Sequence, residues 1–175
     1  MLLTKDMKEF IAFLEREGVG YVMVGGIAVC YYGYVRTTQD IDVLVIPSPE
    51  NADKMEAVLR AFGFGEAAIP KEIFLKEKGA VHLGTEPNRI DILTSLKGIS
   101  NAAILENSRI ITYRGISMRM IALEDLLTCK KSSRRAKDRA DFEELKKKIA
   151  SGNHGPSSAS GSIKIKSIKR NPKLP

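Results

Sequence analysis

The sequence predicts a single α+β domain, built on a mixed β-sheet with flanking helices and a C-terminal helical pair. Short β-branched runs, such as residues 41–46, alternate with segments whose apolar residues recur every three or four positions, such as residues 5–17. The last two long segments, 123–131 and 136–150, both have the composition of helices. A chain of 175 residues with 43% hydrophobic residues is long enough to close one core.

In the N-terminal half, cap and stop residues mark the ends of the predicted elements. Thr4 is a suitable N-cap and Gly18 a suitable residue just past a helix end. Pro47 stops a strand, and Pro49 stands where a helix begins. The predicted helices are 5–17, 27–34 and 49–63, and the predicted strands are 21–24 and 41–46.

The C-terminal half is predicted to add strands first and helices afterwards. Turn residues 85–88 and Gly115 each join two β-like runs. No element is predicted for residues 95–108. The predicted strands are 72–77, 80–84, 89–94, 109–113 and 116–120, followed by helices 123–131 and 136–150.

The formal net charge of +7 depends strongly on the C-terminus. Residues 151–175 hold five basic side chains and no acid, so residues 1–150 carry only +2. Because the segment is rich in Ser and Gly, we predict a domain over 1–150 and a flexible tail over 151–175. The tail either binds polyanions or is inert. Its basic residues are Lys164, Lys166, Lys169, Arg170 and Lys173.

Membrane-spanning and disulfide-rich classes do not fit the sequence. No apolar run approaches the roughly 18 residues that a membrane helix needs, and the N-terminus does not resemble a signal peptide. Cys30 and Cys129 are far apart and lack metal-ligand spacing. We therefore expect free thiols and a cytoplasmic protein without a membrane partner.

Asp40 and Asp42 form a D-x-D pair at the start of a predicted strand. Side chains two residues apart on a strand share a face, which places their Cα atoms about 6.6 Å apart. Two carboxylates this close repel each other unless a cation lies between them, and Mg²⁺ is a suitable cation. The alternative for D-x-D alone is a solvated turn.

Gly25 and Gly26 stand between a predicted strand and a predicted helix. Glycines at such a junction let backbone N–H groups approach a phosphate. A tight turn that needs positive φ is the alternative. Arg36 and Thr38 follow shortly before the D-x-D pair and would add donors for a triphosphate.

Asp91 supplies a third carboxylate, inside the strand predicted for residues 89–94. Its neighbours Ile90 and Ile92 face the other way, so Asp91 is expected to be partly buried and in need of a partner. That partner is either the metal site or a base such as Arg89.

Together these residues resemble the nucleotidyltransferase superfamily that shares the DNA polymerase β-like fold. The superfamily usually has Ser where this chain has Gly26, which leaves a serine contact to phosphate without a counterpart. The G-G form resembles the AbiEii-type toxin nucleotidyltransferases. The matching residues are Gly25, Gly26, Ala28, Gly33, Arg36, Thr38, Asp40, Ile41 and Asp42.

A second block, near the C-terminus, is also similar to the AbiEii-type pattern. Lys130 is followed by an R-x-K-D-x-x-D segment that contains Arg135, Lys137, Asp138 and Asp141. On composition alone this block is an ordinary charged helical face, and the nucleotide-facing interpretation depends on its order behind the first block.

The resemblance implies a metal-dependent enzyme that moves a nucleoside monophosphate from an NTP to an acceptor hydroxyl and releases pyrophosphate. It implies two Mg²⁺ ions, replaceable by Mn²⁺, held by Asp40, Asp42 and Asp91, which are also the catalytic residues. The expected nucleotide-binding residues are Gly25, Gly26, Arg36, Thr38, Lys130, Arg135, Lys137 and Asp138.

The acceptor stays open at this point. One alternative is RNA such as tRNA, or a protein, modified by the toxin of a toxin–antitoxin pair with a cognate antitoxin. A second is a small molecule, as for antibiotic nucleotidyltransferases. A third is a non-catalytic nucleotide-binding or antitoxin-like module.

Overall fold

The computed structural model describes residues 3–65 and 69–152, so the predicted tail lies almost wholly outside the described part of the chain. The strands are β1 (Tyr21–Val24), β2 (Asp40–Val45), β3 (Ala80–Leu83), β4 (Arg89–Leu93), β5 (Arg109–Tyr113) and β6 (Ile116–Met120). The helices are α1 (Lys5–Arg16), α2 (Gly25–Tyr31), α3 (Pro49–Ala61), α4 (Asn101–Asn107), α5 (Leu123–Ser132) and α6 (Ala136–Ala150).

The strands form one mixed sheet in the order β3-β4-β2-β1-β6-β5. β1 pairs antiparallel with β2 and parallel with β6, while β2 pairs parallel with β4. All four residues of β1 are at most 3% exposed, and alternate residues face opposite ways, so both faces of the sheet centre are covered. The predicted α+β fold with a mixed sheet, flanking helices and a C-terminal helical pair is confirmed.

Local chemistry sets the helix ends much as the sequence predicts. The Thr4 hydroxyl accepts a hydrogen bond from the Met7 N–H at 3.4 Å, and Gly18 adopts φ +63° just past α1. The Ser48 hydroxyl caps α3 by accepting from the Asn51 N–H at 3.1 Å. These caps supply hydrogen-bond acceptors to N–H groups in the first turn, which have no acceptor within the helix.

Asn51 also ties the outer ends of β1 and β2 together. Its Nδ2 donates to the carbonyls of Gly20 at 2.8 Å and Ile46 at 2.7 Å, and its Oδ1 accepts from the Gly20 N–H at 2.8 Å. This buried amide helps to fix the β1–β2 register, which sets Val24 opposite Asp42 at the other end of the pair.

Three predictions for individual elements were wrong or incomplete. The strand predicted for 72–77 is a 3-10 helix, Lys71–Leu75, because a single side chain, Phe74, is buried there and no alternation is present. The helix predicted for 27–34 begins earlier, so both Gly25 and Gly26 are inside α2. Helix α4 was not predicted, because Ile104 is its only buried residue and no apolar periodicity marks it.

None of the helices in the described ranges is long and apolar enough to cross a bilayer. Cys30 and Cys129 are both free thiols, and burial raises the pKa of Cys129 to about 11.

Candidate active site

The parallel pairing of β2 with β4 brings the predicted carboxylates together. Asp42 lies directly opposite Asp91, and Asp40 lies opposite Arg89. Directly opposed residues on neighbouring strands project to the same face, as do residues two apart on one strand. Asp40, Asp42, Asp91 and Arg89 therefore share one face of the sheet.

The carboxylate of Asp42 lies against the first turn of α2. The Gly26 N–H donates to Asp42 Oδ2 at 3.2 Å. Gly25 has φ +58°, and a Cβ on it would lie 1.9 Å from Asp42 Oδ2. Gly25 is therefore required both for its backbone conformation and for the close approach of Asp42.

Asp40 is held by two donors. The Thr38 hydroxyl donates to Oδ1 at 2.7 Å, and Arg89 Nη2 donates to Oδ2 at 2.8 Å. Burial alone would raise the pKa of Asp40, but the Thr38 hydrogen bond and the charges of Lys137 and Arg89 lower it.

Thr38 also accounts for the glycine at position 26. A Cβ on Gly26 would lie 2.5 Å from Thr38 Oγ1 and 3.0 Å from Thr38 Cβ. Real Cβ atoms do not tolerate the shorter distance, so a Ser at position 26 is incompatible with Thr38 as it is placed here.

Asp91 is buried and contacts two bases. Its Oδ1 lies 2.8 Å from His82 Nδ1, which comes from the residue opposite it on β3. The same oxygen lies 2.9 Å from Arg89 Nε, although the angle is too bent for a hydrogen bond. The ion pair with Arg89 that the sequence allowed as an alternative is present, and Asp91 still faces Asp42.

The cluster is short of positive charge around Asp42. Burial raises the pKa of Asp42, the Gly26 N–H opposes that effect, and the negative charges of Asp40 and Asp91 raise the pKa further. Among the described residues no three acidic, His or Cys side chains form a ready metal shell. The donor chemistry fits a hard divalent cation, while Thr38, Arg89 and His82 already contact both oxygens of Asp40 and Oδ1 of Asp91.

The C-terminal helical pair contributes a buried ion network. Asp141 on α6 is fully buried and accepts from Arg36 through Nε at 2.7 Å and Nη2 at 2.9 Å. Lys130 on α5 lies 2.9 Å from Asp141 Oδ2 and also pairs with Asp138. The network joins α5 and α6 to the loop that precedes β2.

All eleven residues predicted for the site line one cleft of about 370 Å³. They are Asp40, Asp42, Asp91, Gly25, Gly26, Arg36, Thr38, Lys130, Arg135, Lys137 and Asp138. The cleft has further polar lining from Arg89, Lys97, Ser133 and Arg134, and apolar lining from Val24, Leu93, Leu96, Leu126 and Cys129.

Several cations in the cleft form no ion pair with a described residue. Within the described part of the chain, no acid forms an ion pair with Lys97, Arg134, Arg135 or Lys137. An acidic cluster beside unpaired cations suits a ligand that carries both metal and phosphate.

Sequence reasoning did not assign Arg89, His82 or Lys97 to the site. Arg89 had a usable signal, because R-x-D at 89–91 repeats the spacing of D-x-D at 40–42. His82 reaches Asp91 through the β3–β4 register, and Lys97 lies on a loop, so neither had a local signal.

The sequence matches one protein family, described as "Nucleotidyl transferase of unknown function (DUF2204)", over residues 3–171. The chain belongs to this nucleotidyltransferase family. It is accordingly an enzyme of the transferase class, and the family match does not distinguish an AbiEii-type subgroup within it.

Two solved structures resemble this nucleotidyltransferase. The Thermotoga maritima protein TM1012, provisionally a nucleotidyltransferase, is 16% identical, with coverage of 83% of this chain and 91% of its own and a TM-score of 0.50. The antibiotic-resistance factor ANT(2'')-Ia is 10% identical, with coverage of 85% and 84% and a TM-score of 0.48. The first likeness supports the fold. No curated protein sequence matches the chain.

Proposed function

We propose that the enzyme transfers a nucleoside monophosphate from an NTP to an acceptor hydroxyl on RNA, such as tRNA, or on protein, in a reaction that needs Mg²⁺. The observation that carries the proposal is the register of β2 and β4, which sets Asp42 beside Asp91 on the face that also bears Asp40. That cluster shares a cleft with unpaired cations.

The metal dependence rests on the donor set. Asp40 and Asp42 would hold a divalent ion, and Asp91 would complete a second site, with Mn²⁺ able to replace Mg²⁺. Divalent ions bound there would stabilise negative charge on the attacking and leaving oxygens of an in-line displacement. The three carboxylates repel one another, so a cation between them is favoured.

In the proposed reaction the acceptor oxygen forms a bond to the α-phosphorus, and the bond from that phosphorus to the leaving pyrophosphate oxygen breaks. The acceptor proton passes to Asp91 or to solvent. Arg135 and Lys137, which lack acidic partners among the described residues, would neutralise the leaving pyrophosphate. Gly25, Gly26 and Thr38 would lie nearest the β- and γ-phosphates.

Arg36 and Lys130 were both expected to bind nucleotide, and their ion pairs change the roles that we propose for them. Both are already paired with Asp141, and the Arg36 side chain is only 14% exposed. We therefore assign Arg36 to holding the loop that carries Thr38. Lys130 and Asp138 would line the phosphate side of the cleft.

The proposal for the acceptor rests on the resemblance of the first motif to AbiEii-type enzymes and on the basic residues of the tail. A polyanionic acceptor such as RNA suits unpaired cations in and around the cleft. We further propose a cytoplasmic toxin of a toxin–antitoxin pair, held in check by a cognate antitoxin.

A transfer assay tests the proposal. Each of the four NTPs, labelled in parallel at the α- or the γ-phosphate, is incubated with Mg²⁺ and with total RNA, protein extract or a panel of aminoglycosides. We expect the α-label alone to enter an acceptor, and RNA or protein rather than the aminoglycosides. Asp42→Asn and excess chelator should each abolish the transfer.

Two results would contradict the proposal in different ways. Incorporation of the γ-label would identify a phosphoryl transferase instead. Incorporation of the α-label into aminoglycosides only would keep nucleotidyl transfer and replace the acceptor class.

A further inference from the structure

Arg89 is placed among the carboxylates where a cation is needed. It is the residue opposite Asp40 in the β2–β4 pairing, and it comes two residues before Asp91. Its Nη2 lies 2.8 Å from Asp40 and its Nε lies 2.9 Å from Asp91. One guanidinium thus bridges two of the three acids.

We propose that Arg89 is a built-in counter-ion, which positions Asp40 and Asp91 in the metal-free enzyme and is displaced from them when the divalent ion binds. This inference rests on the proposed function, because it requires that the acid cluster be a metal site. It adds a residue that neither the motifs nor the family match assigns.

The way Arg89 is held differs from a permanent ion pair. Arg36 places two N–H groups on the two oxygens of one buried carboxylate, which is the strongest geometry for this pair. Arg89 is spread over Asp40, Asp91 and Glu86, its side chain is 31% exposed, and its Nε has no hydrogen bond of acceptable angle. Contacts of this kind are weaker and easier to exchange.

The contacts of Arg89 are on oxygens that a divalent ion would also use. Arg89 takes one oxygen of Asp40 and one of Asp91, while Thr38 takes the other oxygen of Asp40. A divalent ion brings twice the charge of Arg89 and can contact several oxygens at once. It therefore competes for the same oxygens on favourable electrostatic terms.

Glu86 offers the Arg89 guanidinium an acidic partner after its displacement from Asp40 and Asp91. Its Oε1 accepts from Arg89 Nη1 at 3.1 Å, and its side chain is 52% exposed at the turn before β4. Arg89 can leave Asp40 and Asp91 and still keep one acidic partner near solvent, so its release does not bury an unpaired charge.

The test is Mn²⁺ binding without nucleotide, followed by electron paramagnetic resonance and titration calorimetry, together with thermal unfolding in chelator. For Arg89→Gln we expect Mn²⁺ affinity to rise about tenfold or more, since a competing cation is removed from beside the ion. We also expect a lower melting temperature in chelator and a larger rise on adding Mn²⁺, because acid repulsion is no longer offset.

Lys137→Gln is the matched control. Lys137 influences Asp40 through its charge but makes no ion pair with it in the described structure, so its loss removes the same charge without removing a bridge. Its effect on Mn²⁺ affinity should be clearly smaller than that of Arg89→Gln. Equal gains from the two variants would mean that net charge, and not displacement of a bridge, sets the affinity.

Arg89→Lys keeps the test informative if the Gln variant folds poorly. Lys keeps the positive charge but loses the separate Nε and Nη2 atoms that contact Asp91 and Asp40, so Mn²⁺ affinity should fall between those of the wild type and Arg89→Gln. Unchanged or weaker binding in these variants, with wild-type binding that is lost in Asp42→Asn, overturns this inference alone. Absence of Mn²⁺ binding in the wild type, or binding insensitive to Asp42→Asn, removes the proposed metal site itself.

Discussion

Gly25 lies at the junction of β1 and α2, directly beside the acid cluster. Its N-terminal neighbour ends β1, it opens α2, and its missing side chain leaves room for the Asp42 carboxylate. The same position therefore sets both the turn of the chain and the location of a proposed metal ligand.

Gly25→Ala should lower the free energy of unfolding by about 3 kcal/mol, the sum of positive-φ strain and displacement of Asp42. Gly115→Ala is the matched control, because Gly115 has φ +79° but nothing within 4 Å of an added Cβ, so only about 1 kcal/mol of strain applies. Urea denaturation measures both. Equal losses would show that Asp42 moves away at no cost.

The pair Gly26 and Thr38 should behave as a coupled unit. Gly26→Ser should cost about 2 kcal/mol through overlap with Thr38, and Thr38→Gly about 1 kcal/mol through the lost hydrogen bond to Asp40. In the double variant the overlap is gone, so the combined loss should fall short of the sum by about 2 kcal/mol. If the losses of the two single variants add in full, the side chains at positions 26 and 38 do not interact.

At the scale of elements, the C-terminal helical pair and the loop before β2 depend on one buried carboxylate. Asp141 pairs with Arg36 from the loop and with Lys130 from α5. This contact is the physical link between the two sequence blocks that resemble nucleotidyltransferase motifs, although they lie more than 80 residues apart.

Asp141→Asn should therefore lower the free energy of unfolding by about 3 kcal/mol, because the largely buried Arg36 loses its charged partner and Lys130 loses one of its two. Glu144→Gln, on the same helix, removes an exposed pair with Lys147 and should have no measurable effect. Chemical denaturation of both variants gives the comparison. Similar, small losses would mean that the network does not hold the helical pair in place.

The elements also show what could be predicted from the sequence. The D-x-D pair, the two glycines and the charged C-terminal block have local signatures, and all of these residues except Asp141 line the cleft. The contacts across strands depend on pairing between segments that are distant in sequence, so no local pattern predicts them. They are the contacts of Asp91 with Asp42 and with His82. Residues 72–77 were predicted as a strand, whereas the segment around Phe74 is a 3-10 helix with one buried side chain.

At the scale of the whole molecule, most of the predicted tail, residues 153–175, lies outside the residues that the structure describes. The family match continues to residue 171, so it includes most of this segment. Because Ser and Gly precede five basic residues without acids, the sequence leaves two alternatives, a polyanion-binding tail or an inert one.

Truncation after Gly152 should leave the melting temperature nearly unchanged, since the buried hydrophobic residues of the described core lie between Leu3 and Leu145. Binding of total RNA should weaken and lose part of its salt dependence. Thermal unfolding and filter binding at two salt concentrations check these outcomes. A large drop in melting temperature would show that the tail packs on the domain.

The central claim is that the acid cluster binds nucleotide through a divalent ion. It is tested by calorimetry with a non-hydrolysable analogue of the NTP preferred in the transfer assay, with Mg²⁺ or with chelator. Without the cation, the repulsion among Asp40, Asp42 and Asp91 extends to the triphosphate. We expect binding in Mg²⁺, at least about a hundredfold weaker binding in chelator, and weak binding under both conditions for Asp42→Asn. Equal affinity in Mg²⁺ and chelator, unchanged by Asp42→Asn, would contradict the account.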